Sequence, residues 1–265
     1  MRSFALCSLI ALLALQLPSA PVVAQAPAQP AGGWPQHSVD RPRPPVVTPA
    51  RQDLPVAPPA GAVVLFDGKD LTRWQDGTGG SARWRLTAGL AMEVAAGTGD
   101  ISTRDGFGDV ELHVEWASPK PARGADQDRG NSGVFLMGKY EVQVLDSYEN
   151  ITYADGQAAA IYGQFPPLVN ASRPPGEWQT YDIVFTRPRF DDAGKLVSPA
   201  RATVRHNGVL VQDNVVLLGP TTHMVRTPYT AHADRLPIKL QDHGHPVQFR
   251  NIWLRDLEGR GASPR

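Results

Sequence analysis

The sequence predicts an all-β protein, an antiparallel sandwich or barrel, with a leading segment that does not belong to the fold. From residue 63 to residue 257, short stretches of period-two alternation are separated by Gly, Pro, Asn and Asp. No stretch keeps an amphipathic helical period over three turns, and no fixed-period repeat points to a propeller. Many short strands with closely spaced turn signals are the pattern of a sandwich or barrel.

The chain starts with a charge, Arg2, followed by an apolar run from Phe4 to Leu17 that Pro18 interrupts. This reads as a secretory signal peptide over residues 1–26, ending near Ala24-Gln25-Ala26, with a cut after Ala24 as the alternative. The run is shorter than the roughly 20 apolar residues that a bilayer span needs. The expectation is export to the periplasm or beyond, with no membrane segment in the mature form. The single cysteine, Cys7, falls inside this segment. The mature chain therefore has neither a disulfide nor a cysteine metal site. Lys plus Arg and Asp plus Glu both total 26, which gives no electrostatic case for nucleic acid.

Residues 27–60 carry recurrent prolines, among them Pro42, Pro44, Pro45, Pro49, Pro55, Pro58 and Pro59. They read as an extended linker, although Trp34 leaves open that part of it packs on the domain as an arm. The domain is expected over 61–258, with a tail over 259–265.

Within the domain, 109–116 (DVELHVEW) alternates most cleanly, with Val110, Leu112, Val114 and Trp116 on one side. Further strands are expected at 133–137, 140–145 and 178–186. Strands at 202–206 and 209–212 flank Asn207-Gly208, a hairpin signal. Those at 238–241 and 247–254 flank a turn at 242–246. A short helical turn is expected at 156–160. Trp116, Trp178 and Trp253 sit on patterned strands and read as structural, whereas Trp74 and Trp84 are left open.

Two stretches can carry chemistry. In 140–146 (YEVQVLD), Val142 and Val144 face one side while Glu141 and Gln143 face the other, about 7 Å apart. A carboxylate beside an amide suits sugar hydroxyls, and is equally the face of a strand that meets water. In 238–250 (IKLQDHGHPVQFR), Gln241 and His243 fall on the Lys239 side where a turn begins. An imidazole there is an acid or base near neutrality, or a backbone-bonding turn residue. His243 and His245 alone are a weak metal signal. The loop 126–132 (DQDRGNS) has oxygens for calcium but not the spacing of an EF-hand, and reads as a solvated turn. Asn131 and Ser132 stand where they can point into the groove of Glu141. No phosphate loop, GxSxG elbow or HExxH helix occurs.

On these residues the chain resembles the 3-keto-disaccharide hydrolase domain family. The matching stretches are LFDGKDLTRW (65–74), GNSGVFLMGKYEVQVLDSY (130–148), AIYGQFPPLVNASRPPGEWQTYDIVFTRPRF (160–190), ARATVRHNGVLVQDNVVLLGPT (200–221) and PIKLQDHGHPVQFRNIWLRDL (237–257). The resemblance implies a concanavalin-like antiparallel β-sandwich, or jelly roll, and an exported enzyme acting on an oxidised glucoside or disaccharide. The implied chemistry starts from a ketone at carbon 3, which acidifies the hydrogen on carbon 2. Its removal lets the enolate expel the group on carbon 1, and water then adds. Such a route needs a base, an acid and a hold on the enolate oxygen. It does not need the paired carboxylates of an ordinary glycosidase. Retaining glucanases on this fold carry E-x-D-x-E on one strand, whereas this chain has Glu141, Gln143 and Leu145 at that spacing.

The expectation is therefore Glu141 and His243 as acid and base in either order, with Asn131, Gln143 and Gln241 on sugar hydroxyls. Arg250 either stabilises the enolate or bridges strands. A divalent metal at the enolate fits the chemistry, with no ligands named. The alternative is a non-catalytic carbohydrate-binding module, and a weaker one is a structural role.

Overall fold

The computed structural model describes residues 33–258. The expected signal peptide at 1–26, the first residues of the linker and the tail at 259–265 lie outside the described residues. The strands are β1 (Val63–Phe66), β2 (Trp74–Asp76), β3 (Arg85–Leu86), β4 (Met92–Glu93), β5 (Ile101–Phe107), β6 (Val110–Ala117), β7 (Ser132–Leu136), β8 (Tyr140–Val144), β9 (Gln179–Thr186), β10 (Arg189–Phe190), β11 (Leu196–Ser198), β12 (Arg201–His206), β13 (Val209–Val216), β14 (Leu236–Leu240) and β15 (Gln248–Asp256).

They form a two-layer antiparallel β-sandwich. The larger sheet runs β13-β12-β9-β6-β15-β4-β3, with β1 also on β15, and the smaller runs β2-β5-β14-β7-β8. The alternation of 109–116 is realised in β6: Val110, Leu112, Val114 and Trp116 enter the core. They meet Val134, Leu136, Val142, Val144, Ile238 and Leu240 from the smaller sheet. The hairpin forms at Asn207 and Gly208, both at positive φ (52° and 79°), between β12 and β13. The 242–246 turn is not a hairpin, because it carries the chain from β14 in one sheet to β15 in the other. Trp74 and Trp84 are core residues.

The helical turn lies at Ala154–Gly156, two residues earlier than expected. The residues that follow run along the outer edge of β8. Gln143 exchanges backbone bonds with residues 159–160, at 3.0 Å (Gln143 N to Ala160 O) and 2.9 Å (Ala159 N to Gln143 O). The edge strand is thus covered, and its polar face is roofed over.

Residues 33–60 are extended, as the prolines require, but they are packed on the domain as an arm. Val47 N donates to Asn170 O and Asn170 N to Pro45 O, at 3.0 and 2.9 Å. Further on, Val56 N donates to Glu115 Oε1 at 2.8 Å on the outer face of the larger sheet. This seat explains why His113 and Glu115, on the polar side of β6, are buried.

Candidate active site

Glu141 and Gln143 alternate with core residues Val142 and Val144, so both project from the outer face of the smaller sheet. There they meet no open water: both are buried. Together with Asn131, Gln241 and His243 they line one cavity of about 520 Å³. Five of the six expected site residues, from three separate stretches, therefore converge. The backbone continues the ladder past β14, with Gln241 N bonded to Gly133 O at 3.1 Å. This extension carries Gln241 to the cavity, and His243 lies exposed at its rim, stacked on His245 with ring centres 5.9 Å apart.

The packing around Glu141 is close. A Cβ on Gly133, which pairs with Gln143 in the ladder, would clash with Glu141 Oε1 and come within 2.8 Å of the Phe135 ring. A glycine there is what lets the carboxyl lie flat against the sheet. Burial pushes the Glu141 carboxyl up to about 8, the largest cause being loss of water. Lys239 acts against this and Asp100 with it. Lys239 is itself bonded to Asp100 at 2.8 Å and sits over the Phe135 ring.

The amide of Gln143 lies against the same carboxyl. One end lies 2.9 Å from Glu141 Oε1 and 3.1 Å from Ser132 O. The other lies 3.2 Å from Gln127 Oε1 and 3.3 Å from Asn131 Oδ1. All four neighbours are acceptors when Glu141 is ionised, and an amide donates at one end only. With its nitrogen turned to the first pair, the amide donates to Glu141 Oε1 and Ser132 O. Asn131 is fixed in turn by its bond to Gln127 O at 3.0 Å. Gln241 and His243 make no side-chain hydrogen bonds among the described residues, so their polar atoms are available in the cavity.

Arg250 is not in this cavity. Its neighbour in β15, Phe249, is in the core, so Arg250 projects from the outer face of the larger sheet. There its Nε donates to Glu115 Oε2 at 2.7 Å and its guanidinium lies 4.0 Å over the Trp178 ring. Of the two roles expected for it, the strand bridge is the one this position supplies. Trp178 is half-buried under that guanidinium rather than in the core. The open cleft of about 710 Å³ beside Arg250, walled by the arm, lacks a buried carboxyl like Glu141.

The sequence reading missed Gln127, Phe135, Tyr153, Tyr162, Thr221 and His223, which also line the cavity. Gln127 belongs to the DQD stretch read as a solvated turn, four residues before Asn131. Thr221 sits under the Glu141 backbone and accepts from its N–H at 3.0 Å. No local pattern marks Thr221 or His223. Among the described residues no group of three or more His, Cys, Asp and Glu is placed to hold a metal ion. The divalent metal entertained above thus finds no such donor set among the described residues. Asp128 is instead bonded to His245 at 3.1 Å.

Comparison with known proteins agrees with this geometry. Residues 61–255 match the family model described as a 3-keto-alpha-glucoside-1,2-lyase-like domain. A 3-keto-disaccharide hydrolase of Bacteroides thetaiotaomicron is 24% identical, over 75% of this chain and 79% of its own length. A crystal structure of a candidate glycosyl hydrolase from Parabacteroides distasonis is 46% identical, with a TM-score of 0.74, covering 82% of this chain and 93% of that one. A second from the same organism, 21% identical with a TM-score of 0.54, shares the fold.

Proposed function

The chain belongs to the family of 3-keto-alpha-glucoside-1,2-lyase-like domains, and from that membership we propose that it is a glycoside-cleaving enzyme that hydrolyses 3-keto-glycosides by elimination and hydration. The observation that carries the reading is Glu141: a buried carboxyl, held near neutrality by burial, in a cavity lined by amides and an imidazole. Such a group has the proton affinity that acid-base catalysis at neutral pH requires. The cavity is lined by one carboxyl, that of Glu141, which suits elimination better than double displacement through two carboxylates.

In this reading Glu141 is protonated below about pH 8 and is the proton donor. His243, at the rim, takes the proton from carbon 2. The electron pair forms the enolate and then the carbon 1–carbon 2 double bond, while the bond from carbon 1 to its oxygen breaks with its pair on that oxygen, which Glu141 protonates. Water adds across the resulting double bond. Gln143, Asn131 and Gln241 hold the sugar hydroxyls and the enolate oxygen with neutral donors. The charged start and apolar run at 4–17 support export, so the substrate would be met outside the cytoplasm.

The test is to offer the purified chain a 3-keto-glucoside beside the unoxidised glucoside. Aglycone release from the keto compound alone is expected, with kcat falling as pH rises through about 8. A kcat that rises through that range makes Glu141 the base. Saturable binding without product from either compound sinks the enzyme reading in favour of a binding module.

A further inference from the structure

We propose that the N-terminal arm is part of the active site, and that His37 is a positioning residue that sets the Tyr153–Tyr162–His223 chain in the cavity wall. The inference rests on placing the reaction in the cavity of Glu141, and adds to it a segment that lies before the matched family domain at 61–255.

The chain of groups is explicit. Tyr153 Oη lies 3.2 Å from Tyr162 Oη, which lies 2.9 Å from His223 Nδ1. All three residues line the cavity. The His37 ring packs against each of them, with ring centres at 4.2 Å from Tyr153, 4.9 Å from Tyr162 and 5.2 Å from His223. Asp155, fully buried in the turn after Tyr153, grips His37 twice: it accepts from the backbone N–H at 3.1 Å and from Nδ1 at 3.2 Å. Arg41 stands 3.7 Å from the same carboxylate and donates to Gln164 O at 3.3 Å. Gln36 Nε2 donates to Thr222 O at 2.7 Å, beside Thr221 and His223. One short piece of arm thus ties together the two loops that supply these groups.

Two features of His37 separate it from an ordinary anchor. Its φ is +61°, a conformation disfavoured for a residue with a side chain. Its Nε2 is buried with no partner among the described residues, while the side chain is only 5% exposed. An unsatisfied buried nitrogen and a strained backbone both oppose folding. A hydrophobic ring would pack against the tyrosines without the first of these penalties. The imidazole instead keeps one free nitrogen in contact with a hydroxyl–imidazole chain that opens on the cavity. With Tyr162 and His223 so held, a proton can pass between bulk water and the substrate side of the cavity along oxygen and nitrogen atoms already in bonding range.

The test uses the full chain. In His37→Ala the imidazole titration of His223, followed by NMR, is expected to shift. On the keto-glucoside, kcat is expected to fall about tenfold to a hundredfold with KM changed less than about threefold, as for a misplaced group outside the binding contacts. His37→Gln, which keeps a donor for Asp155 but not the ring, should show the same His223 shift with melting close to the parent, and it serves if His37→Ala does not fold. Gln52→Ala releases the same arm from Thr180 on the far sheet, and should lower the melting temperature without moving His223 or kcat. An unchanged His223 titration and unchanged kcat in both His37 variants overturn the proposal, leaving the arm as a brace. If the parent cleaves no glycoside, the function proposed above fails, and the His223 titration still decides whether His37 sets this chain.

Discussion

Glu115 and Glu141 are both buried glutamates on the outward side of a strand, one on each layer of the sandwich, and their surroundings pull their carboxyls in opposite directions. Burial alone would raise Glu115, but His113, Asn251, Arg250 and the Val56 N–H together outweigh it and hold the carboxyl at about 2. Glu141 is also buried, with no cation bonded to it, and is raised to about 8. Burial with partners makes a clamp: Glu115 holds the arm through Val56, and Arg250 to β6. Burial without partners makes a group whose proton is available near neutrality. The same residue type on the same kind of strand face thus yields scaffold on one side and chemistry on the other.

The contrast can be broken at Glu141 first. Glu141→Gln should cut turnover of a 3-keto-glucoside by about a hundredfold or more. It should also stabilise the fold at alkaline pH. In the parent the folded carboxyl binds its proton more tightly than the unfolded one, so stability is full below about pH 4.5 and declines until about pH 8. The variant should lack that decline and be more stable at pH 8 by on the order of 3 kcal/mol, read from denaturant unfolding at several pH values. A parallel decline in both proteins would mean that Glu141 is not the group responsible.

Glu115→Ala should do the reverse. Removing one partner of a buried, hydrogen-bonded pair costs about 3 kcal/mol, and the arm should become open to protease near Val56. The chemistry of the cavity should persist in the folded fraction. In the parent the Glu115 contribution has the opposite pH sign: it is present above about pH 4.5 and lost as pH falls toward about 2. Proteolysis of the arm should therefore accelerate on acidification, and resistance throughout that range would refute the clamp.

Arg250→Ala has the smallest expected effect, about 2 kcal/mol of stability, because Glu115 keeps His113, Asn251 and the Val56 N–H when the ion pair and the stacking on Trp178 are lost. Its kcat on the keto-glucoside should match the parent. A tenfold fall in kcat would return Arg250 to the site from which its position on the larger sheet removes it.

What the sequence determined by itself was local. Alternation fixed the strands and gave each a core face, so β6 and β8 were legible to within a residue. The same alternation put Glu141 and Gln143 on one face, and the register past Leu240 put Gln241 and His243 on another. Alternation has only two outcomes, inward and outward, and it cannot say what an outward face will meet. That was decided by segments far along the chain: the 153–162 loop and residues 221–223 roof Glu141, while the arm at 50–57 and Arg250 close over Glu115. Which of its two roles Arg250 takes was left open because its sheet, not its alternation, decides its neighbours. His37 was invisible because its partners are Asp155, Tyr162 and His223, more than a hundred residues away. Side-chain direction is a property of neighbouring residues, but burial and charge pairing, which set the protons, are properties of the packed whole.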